Sequence, residues 1–420
     1  MNAHVSRVVC RAAVGALAAT LMVWLPPSAH AERVKPHLFG IDLIQLSAPA
    51  APLVSTPTAR LIVNWANVER SPGQLDWSKL DARIDMARQH GSKPLLTLFG
   101  TPAFYGVGES GVPSLLRPPR LSAYRTFVRA LAERYGARAD YQVFAEMNCP
   151  CNYIGTPRHM AKMTRVAALE VRRHAPGAEV VAPHGPIRYS SNRAWFREYW
   201  SERVGGKPVA ELVDVASLSG FPRARIGPEK GIKLVKWLRR MTSQYGFSGP
   251  IWIVEINYDV NGGRATVPIS VDQQVANVVK TYVLNASIGT ERVYWHYWSP
   301  PTPNMNTAML TPDNQLAAPG RAFGVIQPWL IDTRAAGCTI TKGDLYTCLF
   351  ITKKAERRVI WSMSGRERRV VVPDRTRRLF SPDGTVRDIS SRGRVRVGLV
   401  PVMIESRREP SRGKGNDPRR

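Results

Sequence analysis

The sequence predicts a parallel α/β fold, a (β/α)₈ TIM barrel followed by a small C-terminal β-sandwich. Between about Leu38 and Trp329, short apolar runs alternate with longer amphipathic stretches. The apolar runs come to eight, the number a closed barrel requires. After Trp329 the pattern changes to short alternating strands divided by turn sequences.

The eight candidate strands are Phe39–Leu46, Arg60–Trp65, Pro94–Phe99, Tyr141–Glu146, Glu179–Ala182, Val213–Leu218, Ile251–Glu255 and Val293–Trp298. Helical patterns lie between them. In Trp77–His90, Leu80, Ile84 and Ala87 recur at helical spacing and Gly91 ends the run. Leu121–Tyr135, Met160–His174, Trp195–Val204, Ile232–Tyr245 and Val271–Ile288 follow the same logic. An open doubly wound sheet would alternate similarly, but no glycine-rich phosphate loop follows the first strand. Downstream, Leu345–Ile351, Arg358–Met363, Arg368–Val372 and Val395–Ile404 read as strands, with turns at Pro382-Asp383-Gly384 and Arg392-Gly393. The expected organisation is a signal at 1–31, a barrel at 32–333, a β-sandwich at 334–406 and a disordered basic tail at 407–420. The sandwich is expected to dock on the barrel and to be completed by residues just after the signal.

Export is expected from the N-terminus. Arg7 and Arg11 precede an apolar stretch, Val14 to Leu25, too short to span a bilayer comfortably. Ala29-His30-Ala31 then supplies a small-x-small cleavage pattern, implying a periplasmic or secreted chain. No later segment approaches the roughly 20 apolar residues of a membrane helix. Cys338 and Cys348 flank a hairpin and form the natural disulfide in an oxidising compartment. Cys149 and Cys151 are separated only by Pro150, so a bridge there would be tight; their state stays open. No Cys/His spacing argues for a metal, and no cofactor is expected. The formal net charge of +27 favours polyanions, an anionic polysaccharide among them. The cations are spread over many helices without an aromatic-interleaved motif, which argues against specific nucleic-acid binding.

In a barrel, chemistry sits where strands end. Glu146 closes the apolar run Tyr141-Gln142-Val143-Phe144-Ala145, and Glu255 closes Ile251-Trp252-Ile253-Val254. An ionisable side chain at such a position is costly to bury without a partner. By count these are the fourth and seventh strands, so both carboxyls can face one mouth. Retaining glycosidases use such a pair roughly 5–5.5 Å apart, one as nucleophile and one as proton shuttle.

Several segments carry a resemblance to clan A of the glycoside hydrolases, most closely family 39 and related bacterial exopolysaccharide glycosidases. Trp65-Ala66-Asn67-Val68-Glu69-Arg70-Ser71-Pro72-Gly73 and its continuation to Asp81 resemble the stretch after the second strand. Thr97-Leu98-Phe99-Gly100-Thr101-Pro102-Ala103-Phe104 resembles the end of the third. Phe144-Ala145-Glu146-Met147-Asn148 falls where the clan has Trp-Asn-Glu-Pro-Asn, which implies Glu146 as acid/base. Trp252-Ile253-Val254-Glu255 falls at the nucleophile, implying Glu255, and Val293-Tyr294-Trp295-His296-Tyr297-Trp298 resembles the aromatic eighth strand. Two positions depart from the pattern. The asparagine that binds the sugar 2-hydroxyl is Ala145, and the sixth-strand His-x-Tyr is Ser219-Gly220-Phe221, without the tyrosine hydroxyl.

Trp65, Phe104, Trp295 and Trp298 are candidate sugar platforms. Asp42, Asn148, His184, Asn257, Tyr258 and His296 are candidate hydroxyl binders, and Arg188 and Arg193 could read an acidic sugar. The expected function is a retaining glycoside hydrolase acting on a polysaccharide or oligosaccharide. The rival readings are a carbohydrate-binding pseudoenzyme of the same fold and a basic envelope-associated interaction protein.

Overall fold

Alternation along each apolar run decides which side chains face the barrel axis. The computed structural model describes residues 33–43, 54–108, 111–260, 268–302, 305–341 and 344–408. The expected signal and the tail from residue 409 lie outside the described residues. All eight candidate runs contain strands: β1 (Phe39–Asp42), β2 (Thr58–Asn64), β3 (Lys93–Phe99), β4 (Asp140–Gln142), β5 (Val180–Val181), β6 (Ala216–Ser219), β7 (Ile251–Ile256) and β8 (Arg292–Trp295). They pair in parallel in the order β6-β7-β8-β1-β2-β3-β4-β5, and the bridges Val181–Val215 and Pro186–Ser219 join β5 to β6. The result is a (β/α)₈-type barrel.

Among the described residues, seven helices of eight residues or more cover the outside: α1 (Ser78–Gln89), α2 (Leu121–Tyr135), α3 (Pro157–His174), α4 (Ser190–Ser201), α5 (Lys233–Ser243), α6 (Val271–Ser287) and α7 (Ala318–Val325). Their ends follow local chemistry. Thr156 caps α3 by accepting from His159 N–H, Pro157 opens its first turn, and Arg172, Arg173 and His174 face the negative end of its dipole. Gly136, at φ 54°, terminates α2 where an L side chain would be strained.

The barrel interior is layered. At the N-terminal end of the strands, Asp140 takes Lys93 Nζ at 2.6 Å and Arg292 Nη1 at 2.8 Å, with Arg292 over the Trp252 ring at 3.7 Å. Above lies an apolar layer of Leu95, Val181, Val215, Trp252, Val254 and Tyr294. Tyr294 can cross the axis because position 40 is glycine: a Cβ there would meet the ring at 2.8 Å. Next comes a polar ladder in which Arg60 donates to Thr97, Thr97 to Gln142, and Gln142 to Ser217. Asp42, His184, Ser219, Glu255 and His296 close the top.

The C-terminal region begins at β9 (Arg334–Thr341) and continues with β10 (Leu345–Ile351), β11 (Ala355–Ser362), β12 (Arg368–Val371), β13 (Thr376–Phe380), β14 (Val386–Asp388), β15 (Arg394–Val397) and β16 (Val402–Arg407). A six-stranded sheet, β9-β10-β11-β16-β13-β14, is packed by the pair β12-β15 over Ile360, Val372, Leu379, Val395, Val397 and Ile404. The expected single strand Val395–Ile404 is two, because Gly398–Pro401 breaks it and the halves pair with different partners. Arg407, assigned to the tail, instead ends β16 opposite Ala355. Arg33 bridges Arg334, so residues next to the expected signal do join the sheet. Docking on the barrel is polar as well as apolar. Glu229, after β6, takes Trp361 Nε1 at 2.8 Å and Lys280 Nζ from α6 at 2.9 Å. Cys338 and Cys348 are opposite neighbours in β9 and β10 and are disulfide-bonded.

Candidate active site

Glu255 should point away from the axis if β7 alternated strictly, since Trp252 and Val254 already pack inside. It does not, because the register slips. Leu218 pairs with Ile253, but Ser219 pairs with Glu255, so Val254 is the extra residue of a bulge. Val254 and Glu255 therefore both face inward, while Ile253 and Ile256 pack with the outer core. The bulge delivers the carboxylate to the top of the barrel.

There it meets Arg60, a residue the sequence analysis did not single out. Its guanidinium is fully buried on β2 and lies 2.6 Å from both Glu255 Oε1 and Asp42 Oδ2. The other Arg60 amine donates to His184 Nε2 at 3.0 Å, so that nitrogen is the acceptor. His184 Nδ1 then carries the proton and donates to Ser219 Oγ at 2.9 Å, and Ser219 donates onward to Glu255 Oε2 at 3.4 Å. Burial holds His184 neutral, its pKa pushed down to about 3, which agrees with that tautomer. Burial is the largest single influence and works against ionised Glu255, but the favourable charges around it, Arg60 foremost, together keep the carboxyl below its ordinary range. Asp42 behaves alike: buried, yet held low by Arg60 and by His296, whose Nδ1 lies 2.8 Å from Asp42 Oδ2.

Glu146 stands in the opposite electrostatic state. It sits in the turn after β4 at φ 43°, a left-handed conformation uncommon for a non-glycine residue. Neighbouring backbone bonds over-determine the turn: Ala145 N–H to Leu98 O, Met147 N–H to His184 O, and Cys149 N–H to Glu146 O. Asn152 donates to Glu146 Oε2 at 2.7 Å. Burial, then the negative charge of Glu255, raises Glu146 to about 7. One barrel mouth thus holds a carboxylate that stays ionised and a carboxyl that titrates near neutrality. Cys149 and Cys151, left open on sequence grounds, are disulfide-bonded within this turn.

The other expected binders divide. His184, Asp42 and His296 converge on the carboxylates as described. Phe221 packs edge-on against His296, with centroids 5.3 Å apart, and brings no hydroxyl to Glu255; Ser219 does so instead. Phe104 is half-buried beside Tyr105 at the mouth. Asn148 braces the backbone: its Nδ2 donates to Pro186 O and Asn192 O, tying the loop after β5 and the start of α4 to the Glu146 turn, while its buried Oδ1 has no partner among the described residues.

Trp65, Trp295, Trp298 and Tyr258 need correction. Trp65 is 2% exposed, stacked on Phe127 and donating to Glu69. Trp295 and Trp298 are buried in the outer core, and Tyr258 spends its hydroxyl on Thr281. Strand alternation explains the eighth strand: Trp295 points outward while His296 points in, and half-buried Tyr297 is the aromatic left at the surface. Asn257 is likewise internal, its amide donating to His296 O and Thr307 O. Asp42, Glu255 and His296 present ligand atoms within 4.8 Å of one another, as a cation site would. Arg60 already supplies the positive charge between the two carboxylates, so the donor set does not fit a metal.

Comparison with known proteins yields no matching family model and no match among curated sequences. Solved structures do match. A family 39 glycoside hydrolase from the gut symbiont Bacteroides cellulosilyticus WH2 superposes with TM-score 0.69 at 15% identity, over 89% of this chain and 81% of that one. A family 39 β-xylosidase from Caulobacter crescentus gives 0.61 at 14% identity, covering 91% and 98%. A family 30 endoxylanase from Clostridium papyrosolvens C71 gives 0.63 at 12%, again over 91% and 98%. At these identities the likeness is one of fold: the chain has the barrel-plus-sandwich architecture of clan A glycoside hydrolases.

Proposed function

We propose that the protein is a glycoside hydrolase that cleaves its substrate with net retention. The observation that carries this reading is the split electrostatic state of two carboxyls at one barrel mouth. Arg60 holds Glu255 ionised, while burial and Glu255 raise Glu146 to about 7. Glu255 attacks the anomeric carbon as Glu146 gives its proton to the leaving oxygen, forming a glycosyl-enzyme. Glu146, now ionised, takes a proton from water, whose oxygen attacks the anomeric carbon and releases Glu255. Asn152 positions the Glu146 carboxyl, and the His184–Ser219 relay orients Glu255. Neither Ala145 nor Phe221 contributes a polar group, so the contact to the sugar 2-position differs from the clan pattern. The two disulfides suit an exported chain.

The test is product release from a panel of bacterial polysaccharides and aryl pentosides and hexosides, with the anomer of the first product followed by NMR. Cleavage that retains configuration and disappears in Glu255→Gln supports the reading. Cleavage with inversion, or an active Glu255→Gln variant, rules out the mechanism. Saturable glycan binding with no product from any substrate moves the protein to the pseudoenzyme reading.

A further inference from the structure

Cations gather on one side of the mouth. Arg188 follows β5, Arg193 and Arg197 lie on α4, and Arg223 lies in the loop after β6. The guanidinium groups of Arg188 and Arg223 sit over the ring of Tyr189 at 5.8 and 5.0 Å, and that ring is 49% exposed. Arg193 and Arg197 flank Trp237 at 5.0 and 5.4 Å. None of the four pairs with a carboxylate among the described residues. The nearby Asp259 carboxylate accepts from the backbone N–H of Arg225. Elsewhere, arginines do find partners: Arg134 with Asp81, Arg158 with Glu202, Arg392 with Asp374. Exposed arginines such as Arg369 and Arg387 also lack an ion pair among the described residues, so what marks these four is their convergence in pairs on the Tyr189 and Trp237 rings.

Two further observations point to a ligand. Arg188 Nε is buried without a hydrogen-bond partner, which is costly for a guanidinium. The cluster is also held in place against the catalytic turn. Asn148 ties Pro186 and Asn192 to that turn, and Arg193 Nε donates to Ile187 O at 2.8 Å. Like charges fixed together repel, and an anion lying among them relieves the repulsion while supplying the missing acceptors.

We propose that Arg188 and Arg223 at Tyr189, with Arg193 and Arg197 at Trp237, form an anion-binding subsite beside Glu146, so that the glycan entering the mouth carries carboxylate groups along its chain. This rests on the glycosidase reading and names its substrate class. Planar guanidinium groups match carboxylates in two-point contact, and Tyr189 offers a ring face to the adjoining sugar.

The experiment measures binding to the full-length Glu255→Gln variant, so that turnover does not enter. The probes are polyuronate oligosaccharides, the same chains after carboxyl reduction, a sulfated dextran and a single-stranded oligonucleotide. A polyuronate should bind at least about 10-fold more tightly than its reduced counterpart. Adding Arg188→Gln and Arg223→Gln should erase that preference, whereas Arg173→Gln, which removes an exposed charge at the end of α3, should change affinity by less than about 2-fold. Equal affinity for acidic and reduced chains overturns the proposal, as does tighter binding of sulfated dextran or oligonucleotide. Wild-type cleavage separates the two readings. Polyuronate bound by the arginines but never cleaved leaves the subsite and removes the hydrolase. Neutral glycans cleaved equally by wild type and the arginine variants leave the hydrolase and remove the subsite.

Discussion

The two ends of the barrel interior both hold buried ions, but in different states of balance. At the lower end the fully buried carboxylate, Asp140, is flanked by Lys93 and Arg292 and also accepts from Glu179 N–H, while Glu291 stays at the partly exposed edge. At the upper end Arg60 stands between Asp42 and Glu255, with Glu146 facing them and Asp42 Oδ1 left without a partner. A buried acid matched by two cations has nothing to exchange. A cluster rich in acids around one cation forces the carboxyls apart in pKa, and that separation is what acid–base chemistry needs. On the proposed reading, the same interior serves stability at one end and catalysis at the other.

The largest expected effect is at Glu255. Glu255→Gln should lower kcat by on the order of 10⁴-fold in the glycoside assay, with the circular-dichroism spectrum unchanged. Glu146→Gln should cost about 10²–10⁴-fold, least for substrates whose leaving group needs no proton, such as a nitrophenyl glycoside. At the lower end, Asp140→Asn should leave Lys93 and Arg292 uncompensated and destabilise the fold by about 3 kcal/mol, read as a fall in Tm, with kcat/KM unchanged below the transition. Equal losses of activity at both ends would abolish the distinction.

The pH profile sharpens it further. Glu146 must be protonated to donate, so kcat/KM should fall as pH rises through about 7, and Glu255, held low, should sustain activity to below the ordinary carboxylate range. Replacing Asn152 with Ala removes a donor to ionised Glu146 and should move the alkaline limb upward. The smallest effect concerns stability. A carboxyl raised in the folded state contributes fully below its ordinary value of 4.5, and the contribution is lost as pH rises through about 7. Glu146→Gln should therefore raise Tm by a few degrees at pH 8 and by less at pH 4.

Residue types and periodicity disclosed much of this. Alternating apolar runs located all eight barrel strands, and the two glutamates ending such runs stood out because ionisable groups there need a reason. Arg60 carried the same kind of signal, a charge inside Ala59-Arg60-Leu61, but it was absorbed into the start of a strand. Trp65, Trp295 and Trp298 misled because an aromatic at a strand end suits either a sugar face or the core, and only the helix packed behind it decides. His184 was evenly poised between a structural and a binding role, and its bonds to Arg60 and Ser219 join it to the Glu255 network.

What the sequence determined by itself was the order of strands and helices, the change to antiparallel strands after Trp329, and the identity of the two carboxyls. These follow from local patterning, which every short window carries. Tertiary structure alone decided that Val254 bulges and turns Glu255 inward, that Arg60 bridges Asp42 and Glu255 from a strand 18 residues away in sequence from Asp42, and that unpaired arginines collect beside Glu146. Register shifts and charge balance depend on which strands lie side by side, and the pKa values that separate the two glutamates arise from groups brought together only when the barrel closes.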